Sequence, residues 1–108
     1  MQQKRWFIIS YDITHPARLR RVHRLVKAEA TALLESLFIY QGTLNSVAKL
    51  QTALAREIDV NEDSLLIYPI RSEYPLQRWG TACLPEGIYD FTLPPLIEHR
   101  TSRELITL

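Results

Sequence analysis

A single carboxylate followed closely by guanidinium groups is the part of this chain equipped for chemistry. Within residues 5–21, RWFIISYDITHPARLRR, an apolar run stops at Asp12, passes Thr14, His15 and Pro16, and reaches Arg18, Arg20 and Arg21. A carboxylate is a hard oxygen donor suited to Mg²⁺ or Mn²⁺. Guanidinium matches phosphate through paired hydrogen bonds. Such a pattern can bring a divalent cation and a phosphate backbone together, which makes Asp12 the candidate metal ligand and catalytic residue. The sequence offers no second obvious acid beside Asp12, so it points more firmly to binding than to hydrolysis. An aspartate here also suits a turn or the start of a helix. His15 is a proton carrier near neutral pH, but its position before Pro16 suits a helix cap. His23 reads as structural.

The charge distribution supports a phosphate-facing surface. The 108 residues carry a formal net charge of +1, yet residues 1–30 hold seven Lys/Arg against Asp12 and Glu29. The positive charge is thus gathered around the opening stretch, and the remainder is acidic. Length and an apolar fraction of 46% suit one globular domain with its own core. One cysteine, Cys83, excludes an internal disulfide framework and a Cys-based zinc site. No cationic-then-apolar leader opens the sequence and no apolar run approaches the ~20 residues of a membrane span, so a cytoplasmic protein without a membrane partner is expected.

The elements that must position Asp12 and the arginines follow from periodicity. Residues 5–12 read as a central strand with Asp12 at its C-terminal end. Thr14 or His15 caps a helix running to about Ala30, with Pro16 in its first turn. Leu19, Val22, Val26 and Ala30 supply its buried stripe, with Leu25 at the margin. Arg20, Arg24 and Lys27 lie opposite, and Arg18 and Arg21 flank the seam. All five are expected to contact a nucleic-acid backbone, without base readout. A second strand spans 33–40, a second helix runs from an Asn45 cap to about Ile58, and 59–63 is an acidic turn. A third strand spans 64–70, with Pro69 suggesting a sheet edge. A fourth short strand is expected at 76–79, a loop at 83–87, a fifth strand at 88–93, and a short helix or tail in the last thirteen residues. Tyr11 and Phe38 belong to the core or a dimer seam. The pattern predicts an α/β sandwich with one sheet and two helices on one face, and leaves the strand order open.

Four motifs in order resemble the CRISPR-associated protein two family. They are Tyr11-Asp12-Ile13; the arginines Arg18, Arg20 and Arg21 ahead of Val22; Ser36-Leu37-Phe38; and Asp63-Ser64-Leu65-Leu66-Ile67-Tyr68-Pro69-Ile70. The resemblance covers about residues 5–80 and implies an α+β, ferredoxin-like fold with an antiparallel sheet, working as a homodimer. It implies that two copies of Asp12 face each other and hold Mg²⁺ or Mn²⁺. It further implies a role in CRISPR spacer acquisition: binding double-stranded DNA or RNA, partnering the CRISPR integrase subunit, and in some members cleaving phosphodiester bonds as an endonuclease. A non-catalytic scaffold between integrase dimers and a toxin-like ribonuclease of the same fold are the alternatives. Residues 1–80 would form the core, and 81–108 an extension whose strand pairs with the other subunit or docks a partner. Two positions depart from the family pattern: Ala30-Thr31-Ala32 where a glycine is usual, and Glu35 where glutamine is frequent.

Overall fold

The computed structural model describes residues 3–71, 76–79 and 96–99. Strand β1 (Arg5–Asp12) leads to helix α1 (Pro16–Glu29), then β2 (Thr31–Leu34), β3 (Leu37–Gly42), helix α2 (Leu44–Glu57) and β4 (Ser64–Pro69). The sheet order is β2-β3-β1-β4, and every neighbouring pair is antiparallel. This is the split βαβ arrangement, β-α-β-β-α-β.

That order hinges on the expected single strand at 33–40, which is in fact a hairpin. Glu35 and Ser36 form its turn, and polar residues interrupting an apolar run are a turn's usual composition. The hairpin sets β2 on the outer edge and places β3 beside β1. Pro69 ends β4, which is the opposite edge, where a missing N–H costs no ladder bond.

Period-two alternation divides β1 between two environments. Phe7, Ile9 and Tyr11 face the helices and join Val22 and Val26 of α1, Val47, Leu50 and Leu54 of α2, and Phe38 and Tyr40 of β3 in the main core. Both helices therefore cover the same face. Trp6, Ile8, Ser10 and Asp12 point to the helix-free face, where Trp6 clusters with Leu33 and Ile39. By register, Leu66 and Tyr68 of β4 share that face, opposite Ser10 and Ile8. They remain 51% and 48% exposed. Leu19 departs from the sequence expectation: it is 39% exposed and lines an open groove instead of the core.

Helix ends explain two further differences. Asn45 was the expected cap of α2, but Thr43 takes that role: its hydroxyl accepts from the Ser46 N–H at 3.0 Å, and Ser46 Oγ donates back to the Thr43 carbonyl at 3.0 Å. The reciprocal pair satisfies an orphan donor as a capping box does. At the end of α1, Ala30 stands where a glycine is usual in the resembling family. Its backbone is extended, with φ −127° and ψ 166°, so no left-handed residue is needed before the chain enters β2.

Strand β5 (Leu76–Trp79) pairs in parallel with β6 (Leu96–His99), forming a two-stranded sheet of its own. The expected fourth strand exists, then, but not in the main sheet. Part of the expected terminal helix or tail is a strand. The expected loop at 83–87 with Cys83, the strand at 88–93, Gly80 and residues 100–108 lie outside the described residues.

Gly42 ends β3 where space is scarce. A Cβ there would collide with Ser46 Oγ and the Tyr40 hydroxyl and lie 2.7 Å from Tyr40 Cε1, and the Tyr40 hydroxyl itself donates to Ser46 Oγ. Gly42→Ala is therefore expected to cost about 1–3 kcal/mol by overpacking, measured as a lower urea midpoint at unchanged slope.

Candidate functional site

The C-terminal end of β1 is where the chemistry-bearing residues meet. The Tyr11 N–H donates to the Ser36 carbonyl at 3.3 Å, which pins the β2–β3 turn beside Asp12. A groove of about 740 Å³ wraps around this end, lined by Ser10, Asp12, Arg20, His23, Glu35 and Ser64 among others. Asp12 is exposed and makes no side-chain hydrogen bond among the described residues. The groove thus brings Glu35, an acid distant in sequence, into the same concavity as Asp12 and Arg20. Sequence reasoning missed this because only the hairpin turn delivers it. The one sequence signal was the departure at position 35.

Asp63 holds this end of the molecule together. Its side chain is fully buried and accepts from Arg18 Nε at 2.9 Å, Arg18 Nη2 at 3.3 Å, the Thr14 N–H at 3.0 Å and the Asp59 N–H at 2.8 Å. Arg18 Nη2 also donates to Glu62 Oε2 at 2.9 Å, and Thr14 Oγ1 donates to the Glu62 carbonyl at 2.8 Å. The β1–α1 turn is thereby fastened to the α2–β4 turn. The Arg18 hydrogen bonds outweigh the opposing effect of burial and, with the two backbone donors, hold the Asp63 carboxyl well below the usual carboxylate range. Arg18 is pushed up in return, chiefly by its hydrogen bond to Asp63.

The five cations of α1 separate into two groups. Arg18 is engaged by Asp63 and Glu62, and Arg21 Nε reaches Glu57 Oε2 at 2.8 Å. Arg20, Arg24 and Lys27 are exposed and have no ion-pair partner among the described residues. Their spacing, with His23, puts them along one stripe of the helix.

His15 caps α1 by accepting the Ala17 N–H at Nδ1, 3.1 Å away. His23 is half-buried, and its Nδ1 lies 2.7 Å from the Tyr11 hydroxyl. Burial, then the nearby Glu35 carboxylate, push the Tyr11 phenol up. A phenol kept protonated can donate to Nδ1, leaving Nε2 to carry the proton of the neutral imidazole. Tyr11 stacks on Phe38 with ring centroids 5.9 Å apart, and both lie on the helix side of the sheet.

The donor set around Asp12 is carboxylate and hydroxyl oxygen, which suits a hard cation. Among the described residues no three His, Cys, Asp or Glu side chains come together as a complete ligand set. No helix among the described residues is long and apolar enough to cross a membrane.

The fold and sequence have recorded counterparts. Residues 5–77 match the family model described as CRISPR associated protein Cas2. The chain is 36% identical over 88 residues to the CRISPR-associated endoribonuclease Cas2 1 of Nitrosomonas europaea, a match covering 82% of this chain and 84% of that protein. Among solved structures, the hypothetical protein TT1823 from Thermus thermophilus superposes with a TM-score of 0.71 at 26% identity, covering 78% of this chain and 100% of its own. A crystal structure of a Cas2 protein gives a TM-score of 0.66 at 25% identity, covering 82% of this chain and 100% of its own. Cas2 of Streptococcus pyogenes gives 0.54 at 26% identity, covering 58% and 82%.

The Asp63 cluster yields a pH prediction. Its folded-state pKa lies below the unfolded value of about 3.9, so its stabilisation is complete above that value and is lost as pH falls through the folded one. Asp63→Asn is expected to lower the melting temperature by on the order of 10 °C at pH 7. Thermal melts from pH 7 down to acid should show a weaker decline below about pH 4 in the variant than in wild type.

Proposed function

Since the chain belongs to the Cas2 family, we propose that it is a homodimeric, nucleic-acid-binding protein of CRISPR spacer acquisition that cleaves phosphodiester bonds with a divalent cation at Asp12. The observation that carries this reading is the groove in which Asp12 stands with Arg20, which has no ion-pair partner among the described residues. Asp12 lies on the helix-free sheet face with Leu66 and Tyr68, whose exposure suits burial against a second copy. A dimer through that face would add a second Asp12 and complete the oxygen donor set that one chain leaves partial. The relative's endoribonuclease activity favours RNA as the substrate cut.

In this reading Asp12, Ser10 and Ser64 offer the oxygen ligands, and Arg20 meets the phosphate charge beside them. A divalent cation held by them would supply Lewis-acid withdrawal of charge from the phosphodiester. Arg24 and Lys27 hold the flanking backbone, while Arg18 and Arg21 act through the fold: they fix α1 against the α2–β4 turn and the end of α2. A second reading, a non-catalytic scaffold that grips a duplex between integrase dimers, is favoured by the single carboxylate at the end of β1. Both readings use the same cations, and they differ in turnover.

The deciding experiment is a cleavage time course on labelled RNA and duplex DNA with Mg²⁺, Mn²⁺ or chelator. Metal-dependent cleavage by wild type and its loss of at least about a hundredfold in Asp12→Asn is expected. Salt-sensitive binding with no turnover by wild type would leave the scaffold. In binding titrations, Arg20→Ala, Arg24→Ala and Lys27→Ala should each reduce the slope of log affinity against log salt by about one.

The dimer has its own test. Leu66→Glu and Tyr68→Glu place a charge on an exposed position, so the monomer fold should survive. Light scattering should then report monomers where wild type is a dimer. A variant that stays dimeric with native far-UV circular dichroism would move the interface elsewhere.

A further inference from the structure

A second groove, of about 670 Å³, opens between the C-terminal half of α1 and the edge strand β2. Leu34 gives it an exposed apolar wall, with Ala30, Ala32 and the buried Leu33 and Phe38 behind it, and its polar groups are few: Lys27, His23, Thr31 and Glu35. His23 and Glu35 also line the Asp12 groove, so the two concavities are neighbours along one path beside α1. Glu35 is exposed in the hairpin turn and has no hydrogen-bond or ion-pair partner among the described residues.

We infer that this groove receives one unstacked guanine base of a single-stranded nucleic acid, with the Glu35 carboxylate reading its Watson–Crick edge. The inference rests on the nucleic-acid reading above and adds the base recognised. A flat heterocycle suits apolar walls with a few convergent polar groups. A bare anion does not, since Glu35 would repel it. Lys27 meets the phosphate beside the base, and Arg24 lies one helical step away on the same stripe. The continuity of the grooves then leads the chain on toward Arg20 and Asp12.

The choice of base follows from what a carboxylate can do. It only accepts, and its two oxygens take two parallel N–H donors. Guanine carries N1–H and N2–H side by side on one edge. Adenine and cytosine present one amino donor beside an acceptor nitrogen, and uracil sets its single N–H between two carbonyls that a carboxylate repels. That edge is open only when the base is unpaired, which is how RNA is commonly read in a sequence-dependent way.

The test is fluorescence anisotropy with short single-stranded oligoribonucleotides that differ at one central base, in chelator so that nothing is cut. Wild type should bind the guanine oligomer about tenfold more tightly than the adenine, cytosine or uracil ones. Glu35→Gln should abolish that preference while retaining salt-dependent affinity. Glu29→Gln, which removes an exposed carboxylate of α1 that does not line the groove, should keep it. Equal affinity for all four bases with steep salt dependence would overturn the guanine site and leave the phosphate-binding reading standing. A preference that survives in Glu35→Gln, or a uniform tightening of every oligomer in that variant, would also overturn it. Binding with no salt dependence, or none at all, would overturn both readings.

Discussion

The buried carboxylate of Asp63 is the interaction on which the working end of this molecule depends. Two turns, β1–α1 and α2–β4, each leave backbone N–H groups that no helix or strand satisfies. Asp63 accepts one from each, Thr14 and Asp59, and meets the Arg18 guanidinium with what remains. A buried ion pair is not in itself a strong source of stability, because desolvation opposes the attraction. Its value here lies in geometry: it fixes where β1 stops and where α1 starts, and so the relation of Asp12 to Arg20.

The sheet then gives its two faces different work. On the helix side, Ile9, Val22, Val26 and Leu54 are completely buried, and each such side chain is worth roughly 1.5–3 kcal/mol when removed from water. On the other side the same strand presents Ser10 and Asp12. The alternation of β1 therefore places a core and a charged site within one short strand, and a register slip of one residue would exchange them. The β3 and β4 ladders on either side of β1 oppose such a slip.

Helix α1 shows how a run of like charges is divided by its surroundings. Arg18 and Arg21 meet the acidic residues at the end of α2 and in the following turn, so they serve the fold. Arg20, Arg24 and Lys27 have no such neighbours among the described residues; Arg20 lines one of two grooves that share His23 and Glu35, and Lys27 lines the other. The positive surface left without ion pairs among the described residues is narrower than the count of basic residues suggests.

Local patterns were enough to establish much of this. The apolar run before Asp12, the three- and four-residue spacing of Val22 and Val26, and the Pro16 start each act over a few residues and resist tertiary influence. They were enough for the first strand, the first helix and a sandwich with both helices on one face, while the antiparallel α+β fold was implied only by the family resemblance. What the sequence could not decide were matters of competition and meeting. Thr43 displaced Asn45 as a cap because Ser46 answered it, and residues 33–40 divided between two strands because Glu35 and Ser36 turn the chain back and β3 pairs with both β2 and β1. Arg18 is held in an ion pair because Asp63, 45 residues away, offers it a buried partner. Glu35 joined the Asp12 groove because the hairpin folded it there. Each of these outcomes depends on which groups come into contact across the fold, and contact between distant residues is decided only when the sheet closes.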